Sequence, residues 1–319
     1  MNCFGEIMKL IQRWTWWRQR RRFHPPNEIH RAGELAEQRL AKISRAAGKK
    51  NGWHVFESVR IPDAEQGGKR EIDLVIVGGN TMLVVEQKHW SGSFEINAEE
   101  EFIQHRKNGT THNHSTVNQR IARKSRMLNG MHNERIGKDD DVNVRVILAF
   151  TNRNLDWPNS VERLSSEVYD EAGFISLLEE NDPGELNSDL LATVAGFGTW
   201  DEVQLNGGLM CKGDVLDLGL GQEIDAWQAA RTVALTANIV HESGFASMFS
   251  SSPSSMELAH SSLHLSAKLP YGAAMKMHVV GREAPEEILW STIEAIHLSK
   301  PVVHPEICLL YTSPSPRDL

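Results

Sequence analysis

Hydrophobic positions recur along this chain in two rhythms, most clearly within the first 150 residues. From Asn27 to Ala47, the apolar residues Ile29, Ala32, Leu35, Ala36, Leu40 and Ile43 return at three- and four-residue steps. That spacing predicts a helix with Asn27 as its N-cap and with Gly48 and Gly52 bracketing its end. Trp53 to Ile61 predicts a strand carrying Val55, Val59 and Ile61 on one face, and Pro62 to Lys69 a polar loop. Glu71 to Val77 and Thr81 to Lys88 are dense in β-branched and aliphatic residues. The Gly78-Gly79-Asn80 turn between them predicts a β-hairpin, and Ser91 to Ile96 adds a short strand after Gly92.

The pattern then loosens. Glu99 to His114 reads as polar and irregular, Val117 to Leu128 as a helix, and Val142 to Phe150 as another aliphatic strand. Leu164 to Glu179 is compatible with a further strand or a helix pair. Helix, strands, helix and strand in this order predict an α/β or α+β domain over residues 27–195. Residues 196–305 predict a smaller β-rich domain, with strands at Val203–Leu205, Val215–Leu220, Val233–His241 and Lys276–Val280. Within it, Ser250–Ser255 reads as a serine-rich linker or loop, and Pro285–Leu298 as a helix striped by Ile288, Leu289, Ile293 and Ile296. Residues 306–319 read as a suspect non-native tail. The string Leu309 to Leu319 reads as translated sequencing adapter, so the natural C-terminus is expected to be missing.

Composition adds limits. At 319 residues the chain suits about two domains. Its 40% hydrophobic and 24% charged content argues against disorder, a collagen-like repeat or a disulfide scaffold. Apolar runs are too short for an integral membrane protein. Cys3, Cys211 and Cys308 are scattered and form no CxxC, which points to a reducing, intracellular setting (cytoplasmic or nuclear). The net charge of −8 hides a gradient, from +8 in residues 1–50 through −1 in residues 51–150 to −15 beyond. The N-terminal half can therefore face a polyanion. Residues 1–26 form a basic arm in which Trp14, Trp16 and Trp17 lie among five arginines, with its apolar part ahead of its charges, the reverse of a secretion signal. Residues 7–22 could lie on an anionic membrane surface, contact nucleic acid, or serve as a plain basic tail.

The candidate chemistry lies in the hairpin. Side chains alternate along a strand, so Glu86 and Lys88 share a face with Met82 and Val84, while Asp73 lies with Val75 and Val77. A turn at residues 78–80 brings Asp73 towards the strand end that carries Glu86 and Lys88. Two carboxylates and an ammonium on an aliphatic sheet need pairing or a metal. Oxygen ligands of this kind suit Mg²⁺ or Mn²⁺, and Lys88 could position water or neutralise charge on a reacting phosphate. A Glu-x-Lys triplet alone is equally an ordinary surface ion pair.

Together these residues resemble the active-site signature of PD-(D/E)XK nucleases. Asp73 is followed, after twelve residues, by Glu86-Gln87-Lys88. More narrowly, residues 28–155 resemble the nuclease-related domain, NERD. Gly33-Glu34 and Ala36-Glu37 match its helical Glu steps, Glu71-Ile72-Asp73 its first catalytic strand, and Glu86-Gln87-Lys88-His89-Trp90-Ser91-Gly92 its second. Val117-Asn118-Gln119 is similar to its later helix but lacks the Pro that commonly follows the Asn. Val144–Phe150 with Thr151-Asn152 is similar to its last core strand.

The resemblance implies a restriction-endonuclease-like αβββαβ core and hydrolysis of nucleic-acid phosphodiester bonds, with DNA the expected substrate in processing or repair. It also implies catalytic roles for Asp73, Glu86, Lys88 and Glu37. A divalent metal is implied at Asp73, Glu86 and the backbone carbonyl of Gln87, with Glu34 or Glu37 completing the set and Glu37 preferred. Gln119, Arg120, Arg123 and Lys124 are candidate nucleic-acid contacts, although the basic helix face could equally be solvated. His105, His112 and His114 suggest a metal clamp only weakly. The competing expectation is a non-catalytic nucleic-acid-binding or membrane-tethering module that kept the fold. Nothing in the sequence speaks to oligomeric state.

Overall fold

The computed structural model describes residues 28–66, 69–157, 167–220, 235–241, 254–260, 263–270, 272–280, 282 and 284–298, with Ile11, Trp14, Thr15 and Arg18 besides. Residues 29–199 form one compact unit, and residues 200–298 belong to a second.

The first unit runs α1 (Glu28–Gly48), β1 (His54–Pro62), β2 (Lys69–Gly78), β3 (Thr81–Lys88), β4 (Gly92–Ile96), β5 (Phe102–His105), β6 (Thr111–His114) and α2 (Val117–Ile136). It continues through β7 (Asn143–Phe150), β8 (Leu155–Asp156), β9 (Glu167–Asp170), α3 (Glu171–Glu180) and α4 (Ser188–Ala195). Its main sheet has the order β1-β2-β3-β7-β9. The first three strands form an antiparallel meander, and β7 and β9 run parallel to β3. A mixed α/β unit with helices on both faces results. Val75, Val77, Met82 and Val84 pack with Ile121 and Leu128 of α2 and with Leu190, Leu191 and Val194 of α4. Leu74, Ile76, Leu83 and Val85 pack with Leu40 and Ala41 of α1 and with Phe174 and Leu178 of α3. Cover on both sides explains why the central strands read as nearly unbroken apolar runs rather than as alternating ones.

The β2–β3 turn falls where the sequence predicts it. Gly79 sits at φ +53°, and a Cβ there would lie 1.7 Å from the carbonyl oxygen of Pro183. Only glycine fits both the backbone and the close approach. Asn27, the expected helix cap, lies outside the described residues.

Three expectations change. Glu99–His114 is not irregular, since it contains the β5–β6 hairpin within a second sheet of order β6-β5-β4-β8. Its Asn108-Gly109 turn is the strongest short hairpin signal there, with Gly109 at φ +82°. Pro285–Leu298 is not a helix. It forms β16 (Glu286–Leu289), a 3-10 turn and β17 (Ile293–Leu298) of the second unit. There β10 (Asp201–Leu205), β11 (Met210–Asp217), β12 (Leu235–His241), β13 (Ser254–His260), β14 (Leu263–Leu269) and β15 (Ala274–Val279) complete an antiparallel sheet of order β14-β13-β12-β17-β10-β11-β15-β16. Strand β17 is held between β10 and β12, and pairing on both edges overrides the helical spacing of its isoleucines. Ser254 and Ser255, expected in a linker or loop, begin β13. Of the basic arm only four residues are described, with Arg18 5.2 Å from the Trp14 ring centroid. Among the described residues no helix is long and apolar enough to cross a membrane.

Candidate active site

Strand β2 does not stay regular to its beginning. Ile72 joins the same core cluster as Val75, although an undisturbed strand would point them to opposite faces. The irregularity sits beside Ser58 of β1, which lies opposite Asp73 between the pairs Glu57–Leu74 and Val59–Ile72. Ser58 has φ +51°, a left-handed conformation that costs a non-glycine residue of the order of 1 kcal/mol or more. Pairing of β2 with β3 ends at Leu74–Val85. The next ladder donor, Gln87 N–H, gives its hydrogen bond to Asp73 Oδ2 instead, at 2.7 Å. A side-chain carboxylate thus replaces a main-chain carbonyl where the strands part.

Glu86 and Lys88 lie at the same place. Lys88 Nζ donates to Glu86 Oε1 at 2.7 Å, and Lys124 Nζ of α2 donates to Glu86 Oε2 at 2.8 Å. The three side chains are only 17–20% exposed. Burial raises the pKa of Asp73 well above the usual carboxylate value, and the charges of Glu86 and Glu37 push it the same way, against Lys88 and Lys124. Burial alone would also raise Glu86, but the two lysines outweigh it and bring the carboxyl down to about 2. For Lys88, desolvation opposes the ammonium, and Glu86 and Asp73 overcome it, leaving the pKa raised. Glu37 of α1 is half-buried and close enough for its charge to act on both Asp73 and Lys88. The side chain of Glu34 lies outside the described residues.

Gln66, Lys69, Arg70, Glu71, Asp73, Glu86, Arg120, Arg123 and Lys124 line a cleft of about 690 Å³. Arg123 is committed within it: its guanidinium binds Asp63 at 2.7 and 2.8 Å and Glu65 at 2.8 Å. Asp63 also accepts from Arg70 and from the backbone N–H groups of Glu65 and Gln66, tying down the β1–β2 loop. Lys124 is held by Glu86, so it belongs to the carboxylate cluster as well as to the cleft wall. Arg120 and Lys69 are exposed. Gln119 is exposed too and does not line the cleft. Its neighbour Asn118 is buried and donates to the Glu100 carbonyl, a structural tie at the start of α2.

The histidines do not form a clamp. His114 stacks on Trp90 with ring centroids 4.1 Å apart. No group of three or more His, Cys, Asp or Glu side chains among the described residues is arranged to hold a metal. What converges is a pair of carboxylates, Asp73 and Glu86, with two lysines.

Residues 32–151 match the family model described as the nuclease-related domain, NERD. That segment spans α1 to the end of β7 and includes every residue of the cluster, so the cluster lies within the part of the chain that is similar to a nuclease-related domain, a match consistent with the PD-(D/E)XK superfamily. No curated protein and no solved structure matches the chain.

Proposed function

We propose that residues 27–195 form a metal-dependent nuclease of the restriction-endonuclease type, acting on phosphodiester bonds and most suited to DNA. The observation that carries this reading is the meeting of Asp73, Glu86 and Lys88 where β2 and β3 part, beside a cleft walled by Lys69, Arg70, Arg120 and Lys124. The succession α1, β1, β2, β3, α2 and β7 supports an αβββαβ core.

The donor set fits a hard divalent cation. Asp73 faces the charges of Glu86 and Glu37 across a desolvated gap, and a cation relieves that repulsion. Asp73 and Glu86 would hold Mg²⁺ or Mn²⁺, with the Gln87 carbonyl and Glu37 as further oxygen donors. When bound, such an ion supplies Lewis-acid activation of the phosphoryl group and a more acidic water. The remaining work falls to the chain's own residues. Lys88, kept as an ammonium by Glu86 and Asp73, offers its Nζ protons to charge developing on phosphate oxygens. Lys124 holds the second oxygen of Glu86 and fixes its orientation. Arg120 and Lys69 attract the backbone without reading its sequence.

Asp73→Ala or Lys88→Ala is expected to abolish metal-dependent cleavage while far-UV circular dichroism stays unchanged. Wild-type activity in the double variant would overturn the reading.

A further inference from the structure

The β5–β6 hairpin separates charge between its two faces. Directly opposed residues share a face, so Phe94, Gln104 and His112 line one side together with Phe102 and His114. Glu95, Ile103 and Asn113 line the other, with His105 and Thr111. The second face carries the carboxylates: Glu95 lies 3.4 Å from His105, and Glu101 accepts from Asn113 at 3.1 Å. Strand positions on the first face carry none.

That first face adjoins Lys88. Trp90, two residues on, stacks flat on His114, and Gln104 fixes the imidazole. Gln104 Nε2 donates to the Ser91 carbonyl, so its Oε1 accepts from His114 Nε2, 3.3 Å away. His112 follows with its ring 6.4 Å from that of His114. Arg106, paired through its backbone N–H with Thr110, carries the strand alternation on from Gln104 and His112, and burial, then the charges of Lys88, His112 and Arg106, depress the His114 pKa. At the tip, Arg106 N–H donates to Thr110 O, Gly109 N–H to Arg106 O, and Thr110 N–H to Asn108 Oδ1. The turn is therefore closed by its own hydrogen bonds. It presents Arg106 and Lys107 exposed, and among the described residues neither side chain has an ion-pair partner.

Phe94, Phe102 and Gln104 are buried, so the face is open only at its hairpin end, and we propose that this end is a second phosphate-binding strip, in which Arg106 and His112, with Lys107 at the tip, hold the phosphodiester backbone of a nucleic-acid strand beyond Lys88 and outside the cleft. Basic and hydrogen-bonding side chains gathered without carboxylates retain a polyanion with no sequence preference. The strip rests on the reading of Asp73, Glu86 and Lys88 as a phosphodiester-cleaving site. It adds that a strand is gripped on two sides of that site, so substrates too short to reach the hairpin are held less tightly.

The test uses the whole chain and a fluorescently labelled single-stranded DNA oligonucleotide. Binding is followed by anisotropy in EDTA across a salt series, and cleavage is followed in Mn²⁺. Arg106→Glu is expected to weaken binding about tenfold, and Arg106→Gln to lower the salt slope by about 0.7, the contribution of one single-strand phosphate. KM should rise with kcat little changed. His105→Ala, on the acidic face, should leave both unchanged. Wild-type binding and KM in Arg106→Glu, with the wild-type chain active, would overturn the strip alone. A wild-type chain that neither binds nor cuts would overturn the underlying reading and the strip with it.

Discussion

Asp63 and Asp73 stand ten residues apart at the two sides of one loop, and the chain treats them in opposite ways. Asp63 is enclosed by Arg123, Arg70 and two backbone N–H groups. The Arg123 hydrogen bonds outweigh desolvation, and its pKa falls far below the usual value. Asp73 has one backbone donor, Gln87 N–H, and faces two other carboxylates in a desolvated corner, so its pKa rises. The first arrangement stabilises the fold. The second leaves repulsion in place, as expected where a protein keeps a charge for chemistry rather than for stability.

Replacement of each group should break this contrast in opposite directions. Lys88→Ala is expected to abolish metal-dependent cleavage, a fall in rate of at least roughly 10²–10³-fold measured with saturating substrate. Asp73→Asn should abolish cleavage as well, yet raise the midpoint of thermal unfolding at neutral pH, because it removes a repelling charge and keeps an acceptor for Gln87 N–H. Asp63→Asn should lower that midpoint, since Arg123 and Arg70 lose their counter-charge. A fall for Asp73→Asn, or no change for Asp63→Asn, would contradict the assignment of roles.

The pH dependence of stability sharpens the same contrast. Asp63 has a folded pKa below its ordinary 3.8, so its contribution is present above that value and lost as pH falls through the lower folded one. Glu86 behaves likewise between 4.5 and about 2. Asp73, raised above 3.8, contributes most below that pH and loses its contribution as pH rises through the folded value. Acid denaturation midpoints should therefore move towards neutral pH least in Asp73→Asn. In Asp63→Asn, the part of the acid-induced loss that belongs to Asp63 should vanish. Smallest is Ser58→Gly, expected to stabilise by about 1 kcal/mol in urea unfolding because glycine adopts the left-handed backbone opposite Asp73 without that strain.

The hairpin chemistry was legible because two strands joined by a tight Gly-rich turn leave little freedom over which residues meet. Asp73, Glu86 and Lys88 could be paired from spacing alone. The kink at Ser58 was not legible, since no local signal marks a left-handed serine within a strand. The second role of Lys124 depends on how α2 docks over β3, a tertiary fact that helical spacing does not carry. Helical spacing marks Arg123 as a phosphate contact but carries no signal for its bond to Asp63, 60 residues away in sequence. The β5–β6 hairpin, by contrast, had its Asn108-Gly109 turn in plain sight within a polar stretch. In the second unit, Pro285–Leu298 shows pairing on both edges of a strand defeating a helical stripe.

The most direct test is cleavage of labelled single-stranded DNA, double-stranded DNA and RNA by the whole chain in Mg²⁺, Mn²⁺ or EDTA, beside Lys88→Ala. Cutting of at least one substrate in metal, absent in EDTA and in the variant, is the predicted result. Binding without cutting under either metal, or cutting that persists in EDTA, would contradict the account.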